Sequence, residues 1–318
     1  MCLIILRMLS FKPLKDNASR HIASIEDNEG KIAELLYFTE LSRDEEETTQ
    51  ASGFAGELTK YTLPGSSPTD FHMKRDYKLS IIPSNNIKGL QRETVSIFGK
   101  SGSGKSWQIK NYIRNYHLLK PKNDIFFLSL NKLADDESFD EDLCDIIQQV
   151  NLRSINKALS PKDFENSLFI FDDILDVNMS LDPEDVFGEQ YQRAGFKDQV
   201  KMEKDCEAKT SAIKIFLNKT VQNILNQGRK YNVSCLAVYH KMKSGPSSVF
   251  LVEESSSCWL YPYGASKRTI ASFLEERLSL SKDDTASLAK EKFYQYDFLS
   301  VNNSGKIYYF TPNHFKFL

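Results

Sequence analysis

Apolar residues fall along this chain in two rhythms. From residue 76 onward, short near-continuous runs rich in β-branched and aromatic side chains alternate with longer stretches in which apolar positions recur every three or four residues. Five runs stand out: 94–98 (TVSIF), 124–130 (DIFFLSL), 168–171 (LFIF), 233–239 (VSCLAVY) and 258–261 (CWLY). Continuous rather than alternating apolarity predicts strands buried on both faces, and strands that alternate with helical patterns predict a mainly parallel central sheet flanked by helices. Helices are expected at 107–116, from Ile213 through Phe216, Leu217, Val221 and Ile224 to Leu225, and at 267–280. A terminal hairpin is expected from 297–301 and 306–310 around Asn302-Asn303-Ser304-Gly305.

The pattern is weaker elsewhere. Residues 1–75 hold an acidic cluster (Asp44, Glu45, Glu46, Glu47) and a Pro/Gly/Ser stretch at 64–68, which marks a loop or linker, with a short amphipathic helix expected at 29–41 through Ile32, Leu35, Leu36 and Phe38. The chain is thus divided into a poorly defined N-terminal extension, 1–75, and one α/β domain, 76–318. A charged insertion or solvated helix interrupts that domain around 177–212.

Composition narrows the function classes. The 318 residues are 41% hydrophobic and 26% charged, which suits a folded chain. Lys plus Arg total 41 against 43 for Asp plus Glu, a net charge of −2, so any contact with a polyanion must come from a local patch. Five scattered cysteines without a C-x-x-C spacing suggest neither a zinc ribbon nor a disulfide framework. No uncharged apolar run approaches the ~18 residues of a membrane span, and the apolar start is too short for a secretory signal. A reducing, cytosolic or nucleoplasmic setting is expected.

The most specific chemical signal is Gly99-Lys100-Ser101-Gly102-Ser103-Gly104-Lys105-Ser106, a full G-x-x-x-x-G-K-[ST] match between a predicted strand and a predicted helix. Glycines at 99, 102 and 104 let the backbone curl and aim N–H groups at phosphate oxygens, and the following helix points its positive end at the same anion. Lys105 supplies a mobile cation for the terminal phosphates, and the Ser106 hydroxyl is a magnesium ligand. Lys100, Ser101 and Ser103 complete the loop. ATP with Mg²⁺ is the expected pair, since no guanine-reading N-K-x-D motif accompanies the loop.

A second strand, 168–171, delivers Asp172 and Asp173 to the carboxyl edge of the sheet, where ligands of such folds bind. Asp172 is assigned to the magnesium shell and Asp173 to polarising the attacking water. A whole predicted strand separates loop from acids, which favours hydrolytic ring ATPases over small-molecule kinases and GTPases. His240 ends the fourth strand, where a polar side chain can report the γ-phosphate; a plain surface histidine is the alternative. Arg229, just before that strand, is a candidate finger reaching a neighbouring subunit's nucleotide, or else a helix-terminal arginine facing the negative end of the dipole. Lys241 and Lys243, with Arg229 and Lys230, make a local basic cluster that can meet a DNA backbone.

The order of GKSGSGKS, LFIFDD and GRKYNVSCLAVYH, over roughly residues 88–265, resembles the FtsK/HerA superfamily, in particular the poxvirus-type DNA-packaging ATPases of large DNA viruses. That resemblance implies a RecA/FtsK-like P-loop NTPase fold and ATP hydrolysis in a homo-oligomeric ring, a hexamer, that drives double-stranded DNA into a preformed capsid. It also implies capsid proteins as partners, and host cytoplasm, virus factory or virion as location. It matches Lys105 and Ser106 to the nucleotide and magnesium positions, Asp172 and Asp173 to the metal and water positions, and Arg229 to a trans-acting arginine. His240 departs from the glutamine more often found there. A helicase or conjugation-type motor and a nucleotide-controlled interaction protein are the competing functions.

Overall fold

The computed structural model describes residues 6–10, 19–27, 32–41, 56–59, 70–73, 78–80, 92–129, 133, 139–151, 155–172, 181–240, 242, 245–302, 307–312 and 314–317. The strands are β1 (Leu6–Ser10), β2 (Ser19–Glu26), β3 (Ile32–Leu41), β4 (Gly56–Thr59), β5 (Asp70–Met73), β6 (Lys78–Ser80), β7 (Thr94–Gly99), β8 (Asp124–Ser129), β9 (Ile147–Asn151), β10 (Ser167–Asp172), β11 (Ser234–Tyr239), β12 (Ser257–Tyr261), β13 (Phe298–Asn302), β14 (Ile307–Thr311) and β15 (His314–Phe317). The helices are α1 (Lys105–Leu119), α2 (Glu141–Ile146), α3 (Pro183–Phe187), α4 (Glu189–Arg193), α5 (Phe196–Gln227), α6 (Gly245–Glu254), α7 (Lys267–Leu278) and α8 (Lys282–Leu288).

All five apolar runs are strands, and they lie side by side. The main sheet has the order β4-β5-β15-β14-β13-β12-β7-β11-β10-β8-β9. From β12 to β9 every pairing is parallel; from β12 to β4 every pairing is antiparallel. Every residue of β7, β11 and β12 is buried, which accounts for the unbroken apolarity of their sequences. Alternate residues serve different layers. Val95, Ile97, Ile170, Leu236 and Val238 pack with Ile109, Tyr112, Ile113 and Tyr116 of α1 and Leu143 of α2. Phe98, Phe169, Phe171, Ala237 and Tyr239 pack on the other face with Ile213, Leu217, Val221 and Ile224 of α5, Leu251 of α6 and Phe273 and Leu274 of α7.

The region expected as an insertion holds α3, α4 and the amino-terminal part of α5, one continuous helix of 32 residues. Its buried positions begin only at Cys206 and run on as Thr210, Ile213, Leu217 and Thr220, so the preceding turns are solvated while the rest packs on the sheet. The Thr210 hydroxyl accepts from Leu181 N at 3.0 Å and so docks the start of α3 on α5.

The amphipathic helix expected at 29–41 is instead strand β3, paired antiparallel with β1 on one side and β2 on the other. Its apolar spacing suits either element, and two-sided strand pairing overrides so local a pattern. Strands β1, β3, β2 and β6 form a separate small sheet in that order. It packs its Ala23, Ile25 and Leu36 against the α1 layer, and Ser24 Oγ donates to Asn115 Oδ1 of α1 at 3.0 Å. Pairings cross position 75: β4 and β5 join the main sheet through β15, whereas β6 joins the small one. The terminal hairpin β13–β14 forms in the expected place and gains β15 as a third strand.

Candidate functional site

Strand order makes a crevice. β7 runs into α1, yet its neighbours in the sheet are β11 and β12, and the next strand in sequence, β8, lies three places away beyond β11 and β10. Connections leaving neighbouring strands in opposite directions open a cleft at the carboxyl ends, where such sheets bind ligands. The glycine loop occupies that point.

Gly99 is the last residue of β7, and a Cβ there would stand 2.6 Å from Tyr261 Cβ and 2.9 Å from Ser103 Oγ, so only glycine fits. Gly104 has φ 103 and is the N-cap of α1; a Cβ on it would meet Tyr296 Cδ1 at 2.5 Å. Lys105 and Ser106 therefore start the helix, whose first amides lack intrahelical carbonyls, and no side chain caps them. No acidic residue sits in the first turn, so the positive end of the dipole faces the cleft uncompensated from within the helix. The Ser103 hydroxyl is fully buried without a hydrogen-bond partner among the described residues. These features fit a phosphate chain.

Lys105 is buried, and its ammonium donates to Gly99 O at 2.8 Å and Lys100 O at 2.9 Å. The same Nζ lies 3.3 Å from His240 Nδ1. An ammonium only donates, so Nδ1 is the accepting atom in this contact. The structure thus brings together two residues 135 positions apart that the sequence singled out separately. Their meeting follows from register: Tyr239 pairs with Phe98, so His240 leaves β11 level with Gly99.

Asp172 ends β10, is half-buried, and pairs with Val238 of β11, which in turn pairs with Ile97. Two strand spacings, about 10 Å, separate it from β7 along the same carboxyl edge. It and the Ser106 hydroxyl are both oxygen donors, the type that magnesium takes. Among the described residues no cluster of three or more His, Cys, Asp or Glu is arranged as a metal site. Asp173, Lys241 and Lys243 lie outside the described residues.

Arg229 is not part of this constellation. It is exposed in a short 3₁₀ turn, Gly228–Tyr231, that precedes β11, and so lies at the amino edge, about 20 Å of strand away from His240.

Two contributions had no sequence signal that located them. Lys100 Nζ donates to Gly264 O in the turn after β12. From the segment before β13, Gln295 Nε2 donates to Gly102 O at 2.9 Å and Tyr296 N to Ser103 O at 3.1 Å. The aromatic run Phe293-Tyr294-Gln295-Tyr296 is visible in the sequence, but nothing there ties it to a loop nearly 200 positions earlier.

A buried parallel strand ending in this loop, a helix starting on its lysine and an acid-ended strand two places across the sheet are the architecture of the P-loop NTPase fold. The motif order resembles that of the FtsK/HerA superfamily. No protein-family model and no curated protein matches the chain. Among solved structures it is similar to the genome packaging NTPase B204 of Sulfolobus turreted icosahedral virus 2 in complex with AMPPCP, at 15% identity and a TM-score of 0.43, covering 70% of this chain and 99% of that one. It is similar to the pCW3 conjugation coupling protein TcpA with ATPγS, at 11% identity and a TM-score of 0.40 over 94% of this chain and 77% of that one. The cytoplasmic domain of the Thermomonospora curvata type VII secretion ATPase EccC matches at 11% identity and a TM-score of 0.40, over 96% of this chain and 29% of that one. No helix among the described residues is long and apolar enough to cross a membrane.

Proposed function

We propose that this protein is an ATP-hydrolysing translocase of double-stranded DNA, of the kind that packages viral genomes into capsids, working as a homo-oligomeric ring in the host cytoplasm or virus factory. The observation that carries the reading is the meeting of Lys105 and His240 at the sheet's switch point, on the same edge as Asp172. Support for DNA as the track comes from the order of GKSGSGKS, LFIFDD and GRKYNVSCLAVYH.

In this reading the loop amides and Lys105 hold the phosphate chain, with the ammonium exchanging its carbonyl partners for phosphate oxygens. Ser106 and Asp172 would hold Mg²⁺, which when bound would neutralise charge on the phosphates. Asp173 orients the attacking water and accepts its proton. His240 registers the terminal phosphate through Lys105, because any move of the ammonium changes the partner of Nδ1. Arg229, exposed on the far edge, serves the neighbouring subunit's nucleotide.

The test is steady-state ATP turnover with and without linear duplex DNA at several salt concentrations. Stimulation by duplex and its loss in Lys105→Ala are expected, with no strand separation. Equal turnover with and without DNA at every salt would overturn translocation, and unwinding of the duplex would reassign the protein as a helicase.

A further inference from the structure

Sheet order also says which way a bound nucleotide points. On the β11 and β10 side of the phosphate loop stand His240 and Asp172, the end at which the proposed hydrolysis takes place. The nucleoside must therefore leave on the opposite side, toward the carboxyl end of β12 and the start of β13. That side carries the turn after β12, with Tyr263 and Gly264, and a strap of residues, 293–297, laid across the loop.

The strap is built and held. Gln295 Nε2 and Tyr296 N bind two successive loop carbonyls, of Gly102 and Ser103. The buried Asp297 carboxylate accepts from Tyr294 N at 2.9 Å and from the Tyr309 hydroxyl of β14 at 2.9 Å, closing the strap into a tight turn. Tyr296 is kept at φ 74, a conformation that a bulky residue adopts only when its surroundings impose it. Its ring meets Gly104 and stands edge-on to Trp107, with centroids 5.5 Å apart. Yet three large rings here remain open to solvent: Tyr263 is 43% exposed, Tyr294 57% and Tyr296 37%. Core packing would hide such surface, and a strained backbone that presents an aromatic ring beside a phosphate loop fits a flat aromatic ligand.

We propose that Tyr296, with Tyr263 from the turn after β12, forms the platform on which the base of the nucleoside triphosphate stacks. The inference rests on the nucleotide reading above and adds the base site to it. Stacking uses the π-face that every base has, so the platform supplies affinity, and the loop supplies the grip on phosphate.

The test separates base from phosphate by calorimetric titration of the full chain with ATP and with inorganic tripolyphosphate at fixed Mg²⁺. Tyr296→Leu is expected to weaken ATP about tenfold, within the range for losing one base–aromatic stack, and to leave tripolyphosphate unchanged; Tyr296→Phe restores ATP. Tyr263→Leu, at an unstrained position, is expected to show the same selective loss and decides the matter if Tyr296→Leu does not fold. Unchanged ATP affinity, or equal weakening of both ligands, overturns the platform. Lys105→Ala is the control for the site itself: if it leaves both affinities intact, the nucleotide reading fails rather than the base site.

Discussion

Asp140 joins two helices through one carboxylate. It caps α2 by accepting from Leu143 N at 3.2 Å, and it faces Lys110 at 2.9 Å and Arg114, both on α1. The hydrogen bond from Lys110, aided by Arg114, holds its carboxyl below the ordinary carboxylate range against a smaller opposing effect of burial. A depressed folded-state pKa means that the stabilisation is present above the unfolded value and is lost as pH falls through the folded one. Asparagine caps a helix about as well as aspartate, so Asp140→Asn isolates the charge. Melting temperatures against pH are expected to show the variant below wild type at neutral pH, with the gap closing below pH ~4. A gap that is constant with pH would show that the ion pairs contribute nothing. None of this was legible beforehand: Asp140 sits in a polar stretch with no motif, and its partners lie 26 and 30 positions earlier in a helix that had to pack first.

Among the elements, α5 depends on an arginine from outside it. Arg92 Nη1 donates to Ile224 O at 2.9 Å, which also accepts from the Gly228 amide, and Nη2 donates to Leu225 O in the last turn of α5. Nη1 also reaches Val233 O at 3.4 Å, just before β11, and packs where a side chain on Gly228 would stand. This guanidinium therefore ties the end of the long helix to the start of the strand that delivers His240. Burial and the nearby Arg229 lower its pKa from the ordinary arginine value, Cys235 and Glu254 opposing, and an arginine so placed still carries its charge. Arg92→Met keeps bulk but loses two charge-assisted bonds, at a cost of about 3–6 kcal/mol. Urea unfolding is expected to show a lower midpoint with an unchanged slope. An unchanged midpoint would mean that water replaces the arginine without loss. The helix itself was readable only from Ile213 on, because the solvated turns before Cys206 carry no apolar stripe to count.

Taken whole, the molecule puts its candidate residues on two opposite edges. Lys105, Ser106, His240 and Asp172 share the carboxyl edge of the parallel strands, whereas Arg229 is exposed at the amino edge. An arginine so placed can act on a nucleotide only across a subunit boundary. Arg229→Ala is expected to bind ATP normally and turn it over poorly, and Lys105→Ala to do neither. In the proposed ring, mixing the two inactive chains would create some boundaries with an intact loop on one side and an intact arginine on the other. Turnover should therefore return in the mixture, to a fraction of wild type. Mixtures as inactive as either parent would exclude an arginine acting in trans.

Local chemistry determined much of this protein in advance. Five parallel strands were legible because burial on both faces leaves an unbroken apolar run, and the phosphate loop because its glycines, lysine and serine are contiguous and each is needed for a separate reason. What the tertiary structure alone decided was adjacency. Ile32, Leu35 and Leu36 suit a helix or a strand, and partners on both sides made β3. Strand β9, with Gln148 and Gln149 at its centre, looked like no strand until β8 lay beside it. The contact of Lys105 with His240, the distance of Arg229 from both, and the strap at Tyr296 all follow from strand order and register. Those depend on the summed packing of two helical layers, and no short window of residues contains that information.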